Sequence, residues 1–214
     1  MLALLIAFLL PANARAQSLE DGFTEAAVKN HYKIYINRTQ SVVRIFKLDD
    51  KGNESELVKT FVCSCGREGH TTPKDTYYTE ERYEWRLMVD ASYARYCVRI
   101  GGKLMFHSVP YLSENNDDLE TEEYNKLGGV ASLGCVRLSV ADAKWIYYNI
   151  PEGTQVVLYS DDEDPTPLYK PQSLKLPAGS PFSSWDPTDD DPDNPWLTEE
   201  HQRMLANYNL YYGL

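Results

Sequence analysis

The 214-residue sequence predicts a mostly β, antiparallel, sandwich-like domain with one main helix and an extended acidic C-terminal tail. Three observations carry that prediction. From His31 onward, β-branched and aromatic residues alternate with polar ones in short runs, the pattern of half-buried strands. Turn-forming clusters such as "NRTQ", "DDKGNES" and Gly101-Gly102 separate those runs. A single segment, "SVADAKWIYYNI", has helix punctuation, with Ser139 as N-cap, Asp142 in the first turn and Pro151 just beyond the end.

In chain order, Met1–Leu10 is apolar and is followed by Pro11 and Ala14-Arg15-Ala16, the pattern of an export leader cleaved after Ala16, although no Lys or Arg precedes it. The run is too short to span a bilayer, which takes about 20 apolar residues. Residues 17–30 read as a connector with some helical character. "HYKIYINRTQSVVRIFKL" and "ELVKTFVCSCG" read as successive antiparallel strands of one sheet. Further strands follow in "YEWRLMVDASYARYCVRI" and "KLMFHSVPY", and Gly101-Gly102 between two alternating runs is the signature of a tight hairpin. On its second strand, Leu104 and Phe106 should face one side, and Met105 and His107 the other. "SENNDDLETEEYNKLGGVAS" is a polar excursion with a short helix around 119–127. "TQVVLYS" closes the domain, giving boundaries of 31–160. The last 54 residues, 161–214, hold 8 of the 12 prolines, 11 acids and 3 bases, a composition that favours an extended tail or wrapping arm.

A formal charge of −11 argues against a nucleic-acid partner, since phosphate binding needs a basic surface. Cys63 and Cys65 lie two apart on a strand-like run, and no pair of C-x-x-C units exists, so a structural zinc site is not expected. Asp189, Asp191, Asp193 and Glu200 approximate calcium-loop spacing. Asn194 stands where glycine is needed, however, and Pro192 and Pro195 constrain the loop, so a solvated acidic tail is the reading and no metal is expected.

"ASLGCVRLS" at 131–139 raises the question of chemistry. Cys135 is either a nucleophile or one more buried thiol, and free cysteines are among the most often buried residues. A nucleophilic thiol needs a base, a group to orient it, and donors for an oxyanion. Among four histidines, His201 lies in the tail, His31 opens the first strand, and His70 sits in the turn "GREGHTTP", where a surface role is the default. His107 ends a hairpin strand beside a loop, where a rigid scaffold presents a base.

"FHSVPY", "ASLGCVRLS" and the helix that follows resemble the catalytic domain of the L,D-transpeptidases (the YkuD-type domain), and "VCSCGREGHTTPKDTYYT" is similar to that family's upstream strand and Thr-Pro turn. The resemblance covers residues 31–160. It implies Cys135 as nucleophile, His107 as its activating base and the Ser108 backbone carbonyl as the group orienting the imidazole. It also implies the N–H groups of Gly134 and Cys135 as oxyanion donors, and Ser132 and Arg137 as substrate-binding residues. The sequence departs from the family pattern in three places. Leu133 replaces a signature histidine, Asp75 replaces a glycine in the Thr-Pro turn, and 24 residues separate His107 from Ser132, long enough for a lid over the site.

What the resemblance implies is an exported cell-wall enzyme without cofactor or nucleotide, acting as a monomer on peptidoglycan stem peptides and meeting the membrane only during export. The thiolate would release the terminal D-alanine of a tetrapeptide stem and pass the acyl group to an amine. Two alternatives keep the same fold: an L,D-carboxypeptidase with water as acceptor, and a catalytically silent wall-binding module.

Overall fold

The computed structural model describes residues 31–161, 170–177 and 179–211, so the leader and connector expected at 1–30 lie outside the described residues. Strands β1 (Tyr32–Asn37), β2 (Val42–Leu48) and β3 (Glu54–Val62) form an antiparallel meander across the predicted turns. The third run breaks at Cys63-Ser64. Cys65–Gly66 is a separate short strand, β4, which pairs with β9 (Val130–Ser132) rather than extending the meander. Strands β5 (Asp75–Tyr78), β6 (Arg82–Leu87), β7 (Tyr93–Gly101) and β8 (Leu104–Ser108) follow, with β7 and β8 joined at Gly101-Gly102 as the sequence predicts.

The predicted sandwich-like domain is built on two main sheets, each of which includes one parallel pair. One has the order β3-β2-β1-β11-β5, where β11 (Gln155–Tyr159) lies parallel to β1. The other has the order β10-β8-β7-β6, where β10 (Val136–Leu138) lies parallel to β8. Register places Ile34 opposite both Ile45 and Val156, so three apolar side chains share one sheet face. They meet Val98, Ile100 and Phe106 of the second sheet in one continuous core. Helix α1 (Thr121–Tyr124) is a single turn, shorter than the predicted 119–127 segment.

The main helix, α2 (Val140–Asn149), buries Val140, Ala143 and Ile146 and connects β10 to the closing strand. Ser139 caps it through a bond from the Asp142 amide, 3.3 Å. The two amides ahead of that one are satisfied from far along the chain: Val140 N–H donates to Asp186 Oδ2 at 2.9 Å, and Ala141 N–H to Thr188 Oγ1 at 3.1 Å.

The chain past Asp161 thus takes part in the domain. Leu176 and Trp196 are fully buried in the core cluster, and the indole N–H donates to the Phe182 carbonyl at 2.8 Å. The 112–130 excursion is pinned by the same segment. Asn125 exchanges two bonds with the Leu176 backbone, and Thr121 Oγ1 donates to the Ser183 carbonyl. A final helix, α3 (Glu199–Tyr211), follows. The aspartates with calcium-loop spacing are engaged by protein groups: Asp189 pairs with Arg95 at 2.7 Å and Asp191 accepts from Asn116 Nδ2. Among the described residues, no cluster of three or more His, Cys, Asp or Glu side chains could hold a metal, and no helix is long and apolar enough to cross a membrane.

The Arg95–Asp189 pair joins this segment to β7 at 11% and 1% side-chain exposure, so each charge depends on the other for compensation. Asp189→Ala should destabilise the protein by about 3 kcal/mol, read as a lowered urea midpoint. Adding Arg95→Met should restore much of the loss. A single variant that unfolds at the wild-type midpoint would show that the segment does not depend on this pair.

Candidate active site

Parallel pairing of β8 with β10 sets Val136 beside Phe106 and Arg137 beside His107, which brings the "FHSVP" and "GCVRL" segments together. His107, Ser132, Leu133, Cys135 and Arg137 line one cleft of about 130 Å³, with Lys103 and Pro110 at its sides. Met88, Val89, Asp90 and Ser92 of the β6–β7 turn supply the remaining wall. The cleft lining contains no residue of 112–130, so the expected lid does not cover it. That excursion reaches the site through Glu123, which forms an ion pair with Arg137.

His107 is 2% exposed, and its Nδ1 lies 2.6 Å from the Ser108 carbonyl oxygen. A carbonyl only accepts, so this bond requires the proton on Nδ1 and leaves Nε2 with its lone pair. Ser108 is fixed in turn, since its hydroxyl accepts from the Arg95 amide at 2.9 Å and donates to the Val109 carbonyl. Burial first, and the nearby Arg137 guanidinium second, lower the His107 pKa to about 4 against the raising effects of the Ser108 carbonyl and Asp90.

Cys135 is half-buried, whereas Cys63, Cys65 and Cys97 are at most 1% exposed, and all four thiols are free. The Cys135 thiol points at the Lys103 carbonyl, 3.6 Å away. Burial pushes its pKa up, and a bond from the Met105 backbone amide and the Arg137 charge pull it partly back. Met105, a residue that sequence reasoning placed only in the strand pattern, thus contributes an N–H directed at the sulfur. Both shifts favour a resting pair of neutral thiol and neutral imidazole over a preformed ion pair.

Two residues with implied roles are bonded inside the loop. The Gly134 amide donates to Ser132 Oγ at 3.0 Å. Ser132 Oγ donates to the Cys135 carbonyl at 2.6 Å, so the hydroxyl braces the turn that carries Cys135. Gly134 itself has φ +128°, which a side chain would strain, and its carbonyl accepts from Thr72 Oγ1 at 2.7 Å. Arg137 is 6% exposed and held by Glu123, with its Nε buried and unpartnered.

The sequence pattern of the L,D-transpeptidase catalytic domain (YkuD) matches residues 31–158. The chain belongs to the L,D-transpeptidase catalytic-domain family. A putative L,D-transpeptidase of Bacillus subtilis, YciB, is 42% identical over 111 residues, 49% of this chain and 56% of that protein. The chain therefore spans little more than half the length of that relative. An L,D-transpeptidase from Mycobacterium smegmatis shares the fold at a TM-score of 0.50 and 15% identity, over 61% of this chain and 59% of that one. Another from Mycobacterium tuberculosis H37Rv is 21% identical, with a TM-score of 0.48 over 61% and 58% of the two chains.

In this transpeptidase domain, alkylation should single out one thiol. Native protein treated with iodoacetamide should gain one adduct, on Cys135, at a rate that climbs into the alkaline range because burial raises that thiol. Peptide mapping that finds Cys63, Cys65 or Cys97 modified first would contradict the burial pattern.

Proposed function

We propose that the chain is an exported cysteine acyltransferase of peptidoglycan, in which Cys135 attacks the stem-peptide carbonyl that precedes the terminal D-alanine. The observation that carries this reading is the junction of β8 and β10. It places the one accessible thiol and an imidazole with a free Nε2 in the same cleft of an L,D-transpeptidase domain.

The sequence of events follows from the two neutral groups. As Cys135 Sγ attacks, its proton passes to His107 Nε2, and the Met105 amide and Arg137 stabilise the developing thiolate. The Ser108 carbonyl accepts a hydrogen bond from Nδ1–H throughout, and so stabilises the imidazolium while it lasts. With the Gly134 amide occupied by Ser132, the backbone donor left to the oxyanion in this reading is the Cys135 amide. Collapse of the tetrahedral species breaks the C–N bond. His107 returns its proton to the departing D-alanine amine, leaving a thioester. An amine acceptor then completes the transfer, and Sγ recovers its proton through His107.

Leu133 occupies the position of the signature histidine, so proton traffic at Sγ rests on His107 in this scheme. Transfer is favoured over hydrolysis by a second cleft on the far side of the nucleophile loop, which also contains Leu133 and Gly134 and offers an approach for a second substrate. Export rests on the leader pattern at residues 1–16.

Incubation with meropenem should add one carbapenem mass to Cys135, and Cys135→Ala should abolish both that adduct and D-alanine release from tetrapeptide stems. His107→Gln should slow acylation by about 10²- to 10⁴-fold. The acid limb of the wild-type acylation rate should fall near pH 4, the titration of His107, and not near 6.5. A folded wild-type protein that is never acylated and releases no D-alanine would defeat the assignment.

A further inference from the structure

The nucleophile loop has two faces, and the proton chemistry described so far uses one of them. His107 stands on the side of the smaller cleft. On the other side, a more open cleft of about 590 Å³ is lined by His70, Tyr77, Lys103, Leu104, Leu133 and Gly134, among others. The two clefts share Lys103 and Leu133, so the loop that carries Cys135 is the partition between them.

The loop that carries His70 is held at several points. The Arg67 amide donates to the Ser132 carbonyl at 3.0 Å, and the His70 amide closes a turn onto the Arg67 carbonyl at 2.9 Å. Thr72 Oγ1 accepts from the Gly66 amide at 2.8 Å and donates to the Gly134 carbonyl at 2.7 Å, so both ends of the loop are bonded to the nucleophile segment. The His70 carbonyl is packed so closely on Gly66 that a Cβ there would lie 1.9 Å from it. The backbone is therefore fixed, while the exposed imidazole makes no hydrogen bond or ion pair with any described residue.

We propose that His70 is a catalytic residue of the second half-reaction, the base that takes a proton from the incoming acceptor amine. This rests on the acyl-enzyme reading above and deepens it. An acceptor amine arrives from water as an ammonium ion without a lone pair, and it must lose one proton before it can attack. His107 is committed to the proton that cycles between Sγ and the reacting amines, and it is buried away from solvent. His70 opens onto solvent. Its neutral nitrogen takes the ammonium proton, and the imidazolium then releases that proton to water. The free amine attacks the thioester carbonyl, the C–N bond forms as the C–S bond breaks, and the second amine proton travels through His107 to Sγ. The acidic sequence makes the assignment specific, because the residues lining this cleft include no carboxylate to do the same work.

The test separates the half-reactions in the full chain, with glycine as amine acceptor and a tetrapeptide stem as donor. In His70→Gln and His70→Ala, formation of the glycine-exchanged stem should fall about 10- to 100-fold near neutral pH. D-alanine release before acceptor addition should change much less, and hydrolysed tripeptide should accumulate instead. The deficit should shrink at alkaline pH, where glycine is already an uncharged amine, and with hydroxylamine, an acceptor largely uncharged at neutral pH. Transfer at the wild-type rate, or equal losses in both half-reactions at every pH, would overturn the role. A wild-type chain that is never acylated would overturn the nucleophile assignment, and this proposal with it.

Discussion

The geometry of the site depends on one hydroxyl. Thr72 is fully buried, and its hydroxyl accepts a hydrogen bond from the Gly66 amide and donates one to the Gly134 carbonyl. A buried hydroxyl that satisfies two backbone groups at once is costly to replace, because its removal strands both of them. Here the two groups belong to the loop behind the second cleft and to the turn before Cys135. The turn has a left-handed glycine at its centre, with Ser132 Oγ accepting from the Gly134 amide and donating to the Cys135 carbonyl, and it would otherwise be a three-residue arch between short strands. Through Thr72 it becomes a rigid partition with a different environment on each face.

In the acyl-transfer scheme proposed above, that partition lets the Cys135 sulfur be reached from two different clefts. On one face, burial favours the neutral forms of both His107 and Cys135. On the other face, the cleft is wider and opens more to solvent. Asymmetry of this kind suits a ping-pong reaction, in which the first product must leave before the second amine approaches. Arg137 acts in the first face alone, favouring thiolate over imidazolium while tied to Glu123 on the excursion.

Much of this was legible in the sequence, for reasons that differ from element to element. Local signals were reliable: Gly101-Gly102 made the hairpin, Ser139 capped α2, and alternation put Phe106 and His107 on opposite sides of their strand. Signals that depend on long-range pairing were not. Nothing in "VCSCG" shows that Cys65–Gly66 leaves the meander to meet Val130–Ser132, because a two-residue strand has no period. The Gly134 amide looked available as a donor, since only folding reveals that Ser132 Oγ closes back on it. His70 read as a surface residue and is one. What the sequence could not convey is which cleft that surface faces. Composition also undervalued the C-terminal segment. Its prolines and acids argue for a loose arm, yet a few residues (Leu176, Asp186, Asp189 and Trp196) suffice to seat it.

The capping of α2 from Asp186 and Thr188 bears on the order in which the domain can mature as it is made. The nucleophile, the base and the helix behind them all leave the ribosome well before residues that complete the helix N-terminus and fill the core with Trp196. During that interval Val140 and Ala141 present open amides, and the sandwich lacks an indole it later buries. With the export proposed above, that delay suits translocation, which needs a polypeptide that has not yet closed. By this arrangement the helix behind the thiol is completed only once the residues up to Trp196 have been synthesised.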